Sequence, residues 1–213
     1  MNFGVLKIGC CTTALLLMVM GCANNNQSCK PAEPQQKMDQ KCCSVQPKAI
    51  TAVAKIAPSQ AASTRPVLNG VNGLVTFTAV DGGVRVVAEL HGLKPDSHHG
   101  FHIHEKGDLS APDLSSAGGH FNPDQHHHGG PGSAAAHAGD LGNITADAKG
   151  DAHLETTLSG VTLEVGPRGL VGRSVIVHAD ADDLKTDPAG NAGPRIAGGV
   201  IELTDSCCKP SGD

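Results

Sequence analysis

From residue 49 onward the chain alternates apolar and polar positions in short runs separated by glycine-containing turns. Residues 50–56 (ITAVAKI) read as a first strand. Residues 73–80 and 84–90 alternate on either side of Asp81-Gly82-Gly83, the signature of a β-hairpin. Residues 101–104, 150–158, 174–178 and 199–203 supply further short strands. No segment carries a long helical period with caps, so the pattern predicts an all-β sandwich or flattened barrel. Between the strands lie two long irregular stretches, residues 107–142 and 179–194. Loops of that length in a compact domain are usually functional or disordered, and these need something to order them.

The chain before residue 48 has another texture. Residues 1–22 read as an export signal: Lys7 gives a positive start, and residues 14–20 (ALLLMVM) form an apolar core too short to span a bilayer. The core ends Val19-Met20-Gly21-Cys22, which resembles a lipoprotein cleavage box with Cys22 as the acylated residue. Residues 23–47, rich in Asn, Gln, Lys and Pro, read as a flexible tether. The expected organisation is therefore a signal over 1–22, a tether over 23–47, a domain over 48–205 and a cysteine-containing tail over 206–213. The expected location is exported, periplasmic or on the cell envelope, with the membrane met only through a lipid anchor.

Composition narrows the chemistry. Trp and Tyr are absent and Phe occurs four times, so the core must be built from Val, Leu, Ile and Ala. The net charge of −5 argues against a nucleic-acid partner. Most of the twelve histidines fall between His91 and His137, a metal signal in itself.

Residues two apart on a strand face the same side, so His102 and His104 can offer two imidazoles to one metal. His178, on strand-like sequence far downstream, is a further candidate. His120, His128, His137 and Asp140 offer three nitrogens and a carboxylate, a donor set suited to tetrahedral zinc. The natural reading is two neighbouring metal sites that share one histidine. Zinc tying these residues together would turn the first long loop into a fixed wall. His126 and His127 directly precede His128 and compete with it as zinc donors.

The blocks GFHIHEKGD (100–108), GGHFNP (118–123), HGGPG (128–132), HAGDLGNI (137–144), VIVHADADDL (175–184) and GNAGPRIAGGVI (190–201) stand in one order and spacing. In this they resemble the copper,zinc superoxide dismutases, specifically the exported bacterial type, over residues 48–204. Such enzymes are themselves standard β-sandwich examples, so the agreement with the strand pattern is no independent test. The resemblance implies a Greek-key fold with copper on His102, His104, His120 and His178, and zinc on His120, His128, His137 and Asp140. It implies superoxide as substrate, Arg195 as the residue guiding that anion, and His120 as the bridge that releases copper and takes a proton. Asp182 would brace a copper ligand and a zinc ligand together. A homodimer is one assembly open to it. A noncatalytic copper/zinc-binding or copper-delivery protein on the same fold is the alternative, and Arg195 discriminates, since storage needs no anion-guiding arginine.

Two departures from the family pattern stand out. The family's intradomain disulfide has no counterpart: Leu114, or Leu109 in another alignment, stands at one position and Gly198 at the other. Its loss costs about 2–4 kcal/mol unless compensated. A bridge between Cys42-Cys43 and Cys207-Cys208 is one compensation; a dithiol copper-collecting site or subunit crosslinking are the alternatives. The loop over 179–194 is also short and acidic, four aspartates facing a single Lys185. Anion steering needs positive potential, and Arg168, Arg173 and Lys106 are the candidates to supply it.

Overall fold

The structure, a computed structural model, describes residues 49–63 and 70–204. The signal with Cys22, the tether and the paired cysteines at 42–43 and 207–208 lie outside the described residues. Eight strands form the fold: β1 (Thr51–Pro58), β2 (Asn72–Val80), β3 (Gly83–His91), β4 (His98–His104), β5 (Asp140–Thr145), β6 (Ala152–Ser159), β7 (Ser174–His178) and β8 (Arg195–Leu203). A single helical turn, α1 (Gln60–Ser63), follows β1. The sheet order is β5-β4-β7-β8-β1-β2-β3-β6, every pairing antiparallel. A bridge between Ala146 and Ala152 ties the chain leaving β5 to β6 and nearly closes the sheet into a barrel. The Greek-key all-β expectation holds.

Side-chain parity divides the barrel into a dry interior and an outer face. Ala52, Ala54 and Ile56 of β1 and Val84, Val86, Ala88 and Leu90 of β3 point inward and are buried. Phe101 and Ile103 of β4 and Val175 and Val177 of β7 join the same core. Their alternating neighbours His102, His104 and His178 therefore face outward, yet are as buried as the core. The two long loops cover them. β7 is buried at all five positions because it has core on one side and loops on the other.

The sequence missed β5 and the α1 turn. The first irregular stretch ends at Gly139 rather than Gly142, because residues 140–145 pair with β4 across an irregular register near Gly100 and His102. The remaining strands lie within a few residues of their expected bounds.

Candidate metal centre

The outward faces of β4 and β7 set the first two elements of the site, and the loop after β4 delivers the third. His120 forms an isolated bridge with His104, which fixes its ring 4.1 Å from that of His102, centroid to centroid. Donor atoms of His102, His104, His120 and His178 all lie within 4.8 Å of one another, and so do those of His120, His128, His137 and Asp140. Both clusters can hold a metal, and His120 belongs to each. All seven expected donors are thus brought together. His128 is the histidine of its triplet that turns inward; His126 and His127 are exposed.

Hydrogen bonds decide which nitrogen of each ring carries the proton. A carbonyl can only accept, so His104 Nδ1 donates to Gly118 O at 3.0 Å and His178 Nδ1 to Gly193 O at 3.0 Å. Their Nε2 atoms, 3.5 Å apart, then carry lone pairs that face each other when the rings are neutral. His102 and His128 present their Nε2 atoms to the two oxygens of Asp182, each at 2.8 Å. Their Nδ1 atoms are left buried without a hydrogen-bond partner, as is His120 Nε2. Buried polar atoms without partners cost on the order of 1–3 kcal/mol each, so three in one place need an explanation. A metal on each side of His120 provides one. In the second cluster, His120 Nδ1 lies 2.8 Å from Asp140 Oδ1, with His137 Nδ1 and His128 Nδ1 each at 3.2 Å, the last without a hydrogen bond.

Burial sets the protonation states that ligation needs. Desolvation is the main reason the His102 pKa falls to about 4 and that of His178 to about 3, and it pushes His104 and His137 down as well. These rings are neutral at pH 7, the form that binds metal. Burial pushes the Asp140 carboxyl up, but the His120 hydrogen bond and nearby imidazole charges outweigh it and the net shift is downward.

Asp182 is itself clasped. Asn143 Oδ1 accepts from its N–H at 2.7 Å and Asn143 Nδ2 donates to its carbonyl at 2.9 Å, while Asp182 Oδ1 also accepts the Leu184 N–H at 2.7 Å. Gly190, at φ +62°, passes directly over this carboxylate: a Cβ there would collide with Asp182 Oδ1 and come within 2.6 Å of His128 Nε2. His99, to which the sequence assigned no role, is buried with Nδ1 2.8 Å from His178 O and Nε2 2.7 Å from Ser97 Oγ. Neither Asn143 nor His99 was expected here. Their proximity to the ligand motifs is the only signal the sequence carried.

Arg195 pairs with His178 at the start of β8. Its two terminal nitrogens donate to Leu114 O and Gly118 O, each at 2.6 Å. The Gly118 carbonyl thus receives both Arg195 and His104 Nδ1. Two of the three other cations expected to supply positive potential are committed elsewhere. Arg173 stacks over Phe121 at 3.7 Å and donates to Glu105 O, and Arg168 pairs with Asp124.

Residues 71–201 match the sequence model of the family described as copper/zinc superoxide dismutase. The chain belongs to the copper/zinc superoxide dismutase family. It is 46% identical over 156 residues to an extracellular Cu-Zn superoxide dismutase of Drosophila melanogaster, covering 70% of this chain and 82% of that one. It is 46% identical over 144 residues to a Cu-Zn superoxide dismutase of Candida glabrata, covering 64% of this chain and 92% of the relative. A solved structure described as the clock protein EA4 superposes with a TM-score of 0.63 at 38% identity, over 72% of this chain and 94% of that one. The enzyme binds copper and zinc and dismutes superoxide.

Proposed function

We propose that His102 Nδ1 and the Nε2 atoms of His104, His120 and His178 hold copper, and that Asp140 with the Nδ1 atoms of His120, His128 and His137 holds zinc. The observation that carries this is His120: its Nδ1 is engaged on the Asp140 side while its buried Nε2 is unpartnered on the other. Copper there supplies one-electron redox chemistry and zinc a fixed positive charge. Two superoxide anions and two protons become one dioxygen and one hydrogen peroxide, one anion losing the electron that the other gains. Arg195 orients the anion. Two of its five N–H groups are spent on the Leu114 and Gly118 carbonyls, and the rest can meet a small anion by charge-assisted hydrogen bonds. His120 Nε2 is the atom that takes a proton and gives it up. Asp182 keeps the His102 and His128 rings turned so that each presents its Nδ1.

The test compares metal-loaded protein with Arg195→Ala and His178→Ala. Arg195→Ala slows superoxide turnover while copper content stays unchanged, and His178→Ala loses copper. Turnover in Arg195→Ala equal to the parent's overturns the guiding role.

The signal over 1–22 supports export of the bacterial lipoprotein type, to the periplasm or cell envelope. There the domain over 48–205, followed by the tail over 206–213, rides on the tether over 23–47 from a lipid on Cys22. Intact-mass measurement of the membrane-extracted chain checks this: a mature chain beginning at Cys22 with added acyl mass supports it, and an unmodified N-terminus refutes it. Sedimentation of the same material tests the homodimer.

A further inference from the structure

A cavity of about 440 Å³ opens between the zinc-side loop and β6, with Asp124, His126, His137, Asp140, Thr157 and Arg168 in its walls. Of the seven convergent donors only His137 and Asp140 line it; the remaining five do not. The zinc-side cluster therefore has its own approach from solvent. Asp124 is paired with Arg168 and the Asp140 side chain is fully buried behind the wall, so His137, whose side chain is 7% exposed, is the donor that reaches the cavity.

His126 stands in the same wall. It is exposed, yet three hydrogen bonds restrain it. Its N–H donates to Asn122 Oδ1 at 3.0 Å, its carbonyl accepts from Asn122 Nδ2 at 2.8 Å, and its Nδ1 lies 3.1 Å from Ala136 O. The last bond fixes the tautomer: with Nδ1 donating to a carbonyl, the neutral ring keeps its lone pair on Nε2. It also ties the ring to the residue immediately before His137.

We propose that this cavity is the port by which zinc reaches its cluster and that His126 Nε2 is the first protein ligand it meets, passing the ion on to His137; the inference rests on the zinc assignment above. A zinc ion exchanges ligands one at a time, each incoming donor replacing a water or an outgoing donor. An intermediate ligand at the mouth speeds entry and exit alike and leaves the equilibrium untouched, because it is absent from the final donor set.

The experiment measures zinc uptake by the metal-free full-length chain and zinc release to an excess of a colorimetric chelator. Both are followed by stopped flow, with zinc affinity from competition, for the parent and for His126→Ala, His126→Asn and His126→Asp. His126→Ala and His126→Asn slow uptake and release several-fold by the same factor with affinity unchanged, whereas His126→Asp, which keeps a zinc-binding group, retains the parent rates. Unchanged uptake in His126→Ala overturns the port. So does a loss of affinity with uptake intact, which makes His126 a prop for the loop. His137→Ala separates the two claims: if tight zinc binding survives it, the zinc assignment has failed, whatever His126 does.

Discussion

The Leu114 side chain lies against the backbone of Gly198, its Cδ1 3.3 Å from the point where a Cβ on residue 198 would stand. The resemblance places the family's disulfide between Gly198 and Leu114, or Leu109 in the other alignment. Here Leu114 instead heads a small apolar cluster with Ala117 and Ile176, against which Leu109 packs. The same residue's carbonyl receives Arg195. Apolar packing thus holds the segment that anchors Arg195. Leu114→Ala should cost about 2–3 kcal/mol, the low end for a buried leucine, or roughly 5–10 °C in Tm. Thermal unfolding of the metal-loaded protein checks it, and a Tm within a degree of the parent's would remove the cluster from the account.

Asp182 links the two halves of the centre, one oxygen to His102 and the other to His128. Asp182→Asn keeps the shape but turns one acceptor into a donor, which then faces an imidazole N–H. One ring must reorient. Loss of such a ligand-orienting carboxylate typically weakens metal binding about 10–100-fold. Chelator competition for copper and zinc on the same variant should show both affinities reduced; a loss confined to one metal would show that the carboxylate supports one half only.

What could be read ahead of the structure follows from the range of each interaction. The Phe-His-Ile-His alternation of β4 announced its own geometry, because strand parity alone puts two rings on one face. The hairpin around Asp81-Gly82-Gly83 was equally local. β5 was hidden because Gly142, at φ +75°, and Asn143 interrupt its apolar run. Pairing with β4 makes it a strand in spite of that composition. The same Asn143 reaches Asp182 across 39 residues, and His99 reaches the His178 carbonyl across 79. No pattern along the chain encodes contacts of that span. The acidity of the 179–194 loop was visible, but its use was not: Asp183 caps Lys185 and Thr186 within the loop, and Asp187 accepts from the His128 N–H at 2.6 Å. Its carboxylates mainly hold the loop in place.

His99 positions His178, one of the proposed copper ligands, through the backbone. Its buried ring donates to the carbonyl of His178, the residue whose own ring faces His104. His99→Ala leaves the His178 carbonyl without this donor at a buried position, at a cost of about 1–3 kcal/mol, while the half-buried Ser97 Oγ keeps its bond to the Lys94 carbonyl. The zinc-side donors are untouched. Copper affinity should fall and the copper electron paramagnetic resonance signal should change while zinc affinity stays at the parent value. A lower Tm with an unchanged copper signal would reduce His99 to a structural residue.

The buried histidines make the metal-free protein sensitive to mild acid, and the direction follows from linkage. In the unfolded chain an imidazole titrates near its ordinary 6.5, whereas desolvation lowers the folded His102 to about 4 and His178 to about 3, with His104 and His137 displaced the same way. Well above 6.5 neither state binds the proton, and stability does not depend on these groups. As pH falls from 6.5 toward 4, the unfolded chain takes up protons that the folded one refuses, so stability declines throughout that window. Tm of the metal-free protein should be level between pH 7 and 8 and then drop by about 2–4 °C for each kcal/mol lost. Bound metal adds stability by mass action and competes with protons for the same nitrogens, so the decline in loaded protein should begin at lower pH. A metal-free Tm that stays flat from pH 6.5 to pH 4 would mean that these rings take up protons in the folded protein as readily as in the unfolded chain, and their burial would then carry no energetic consequence.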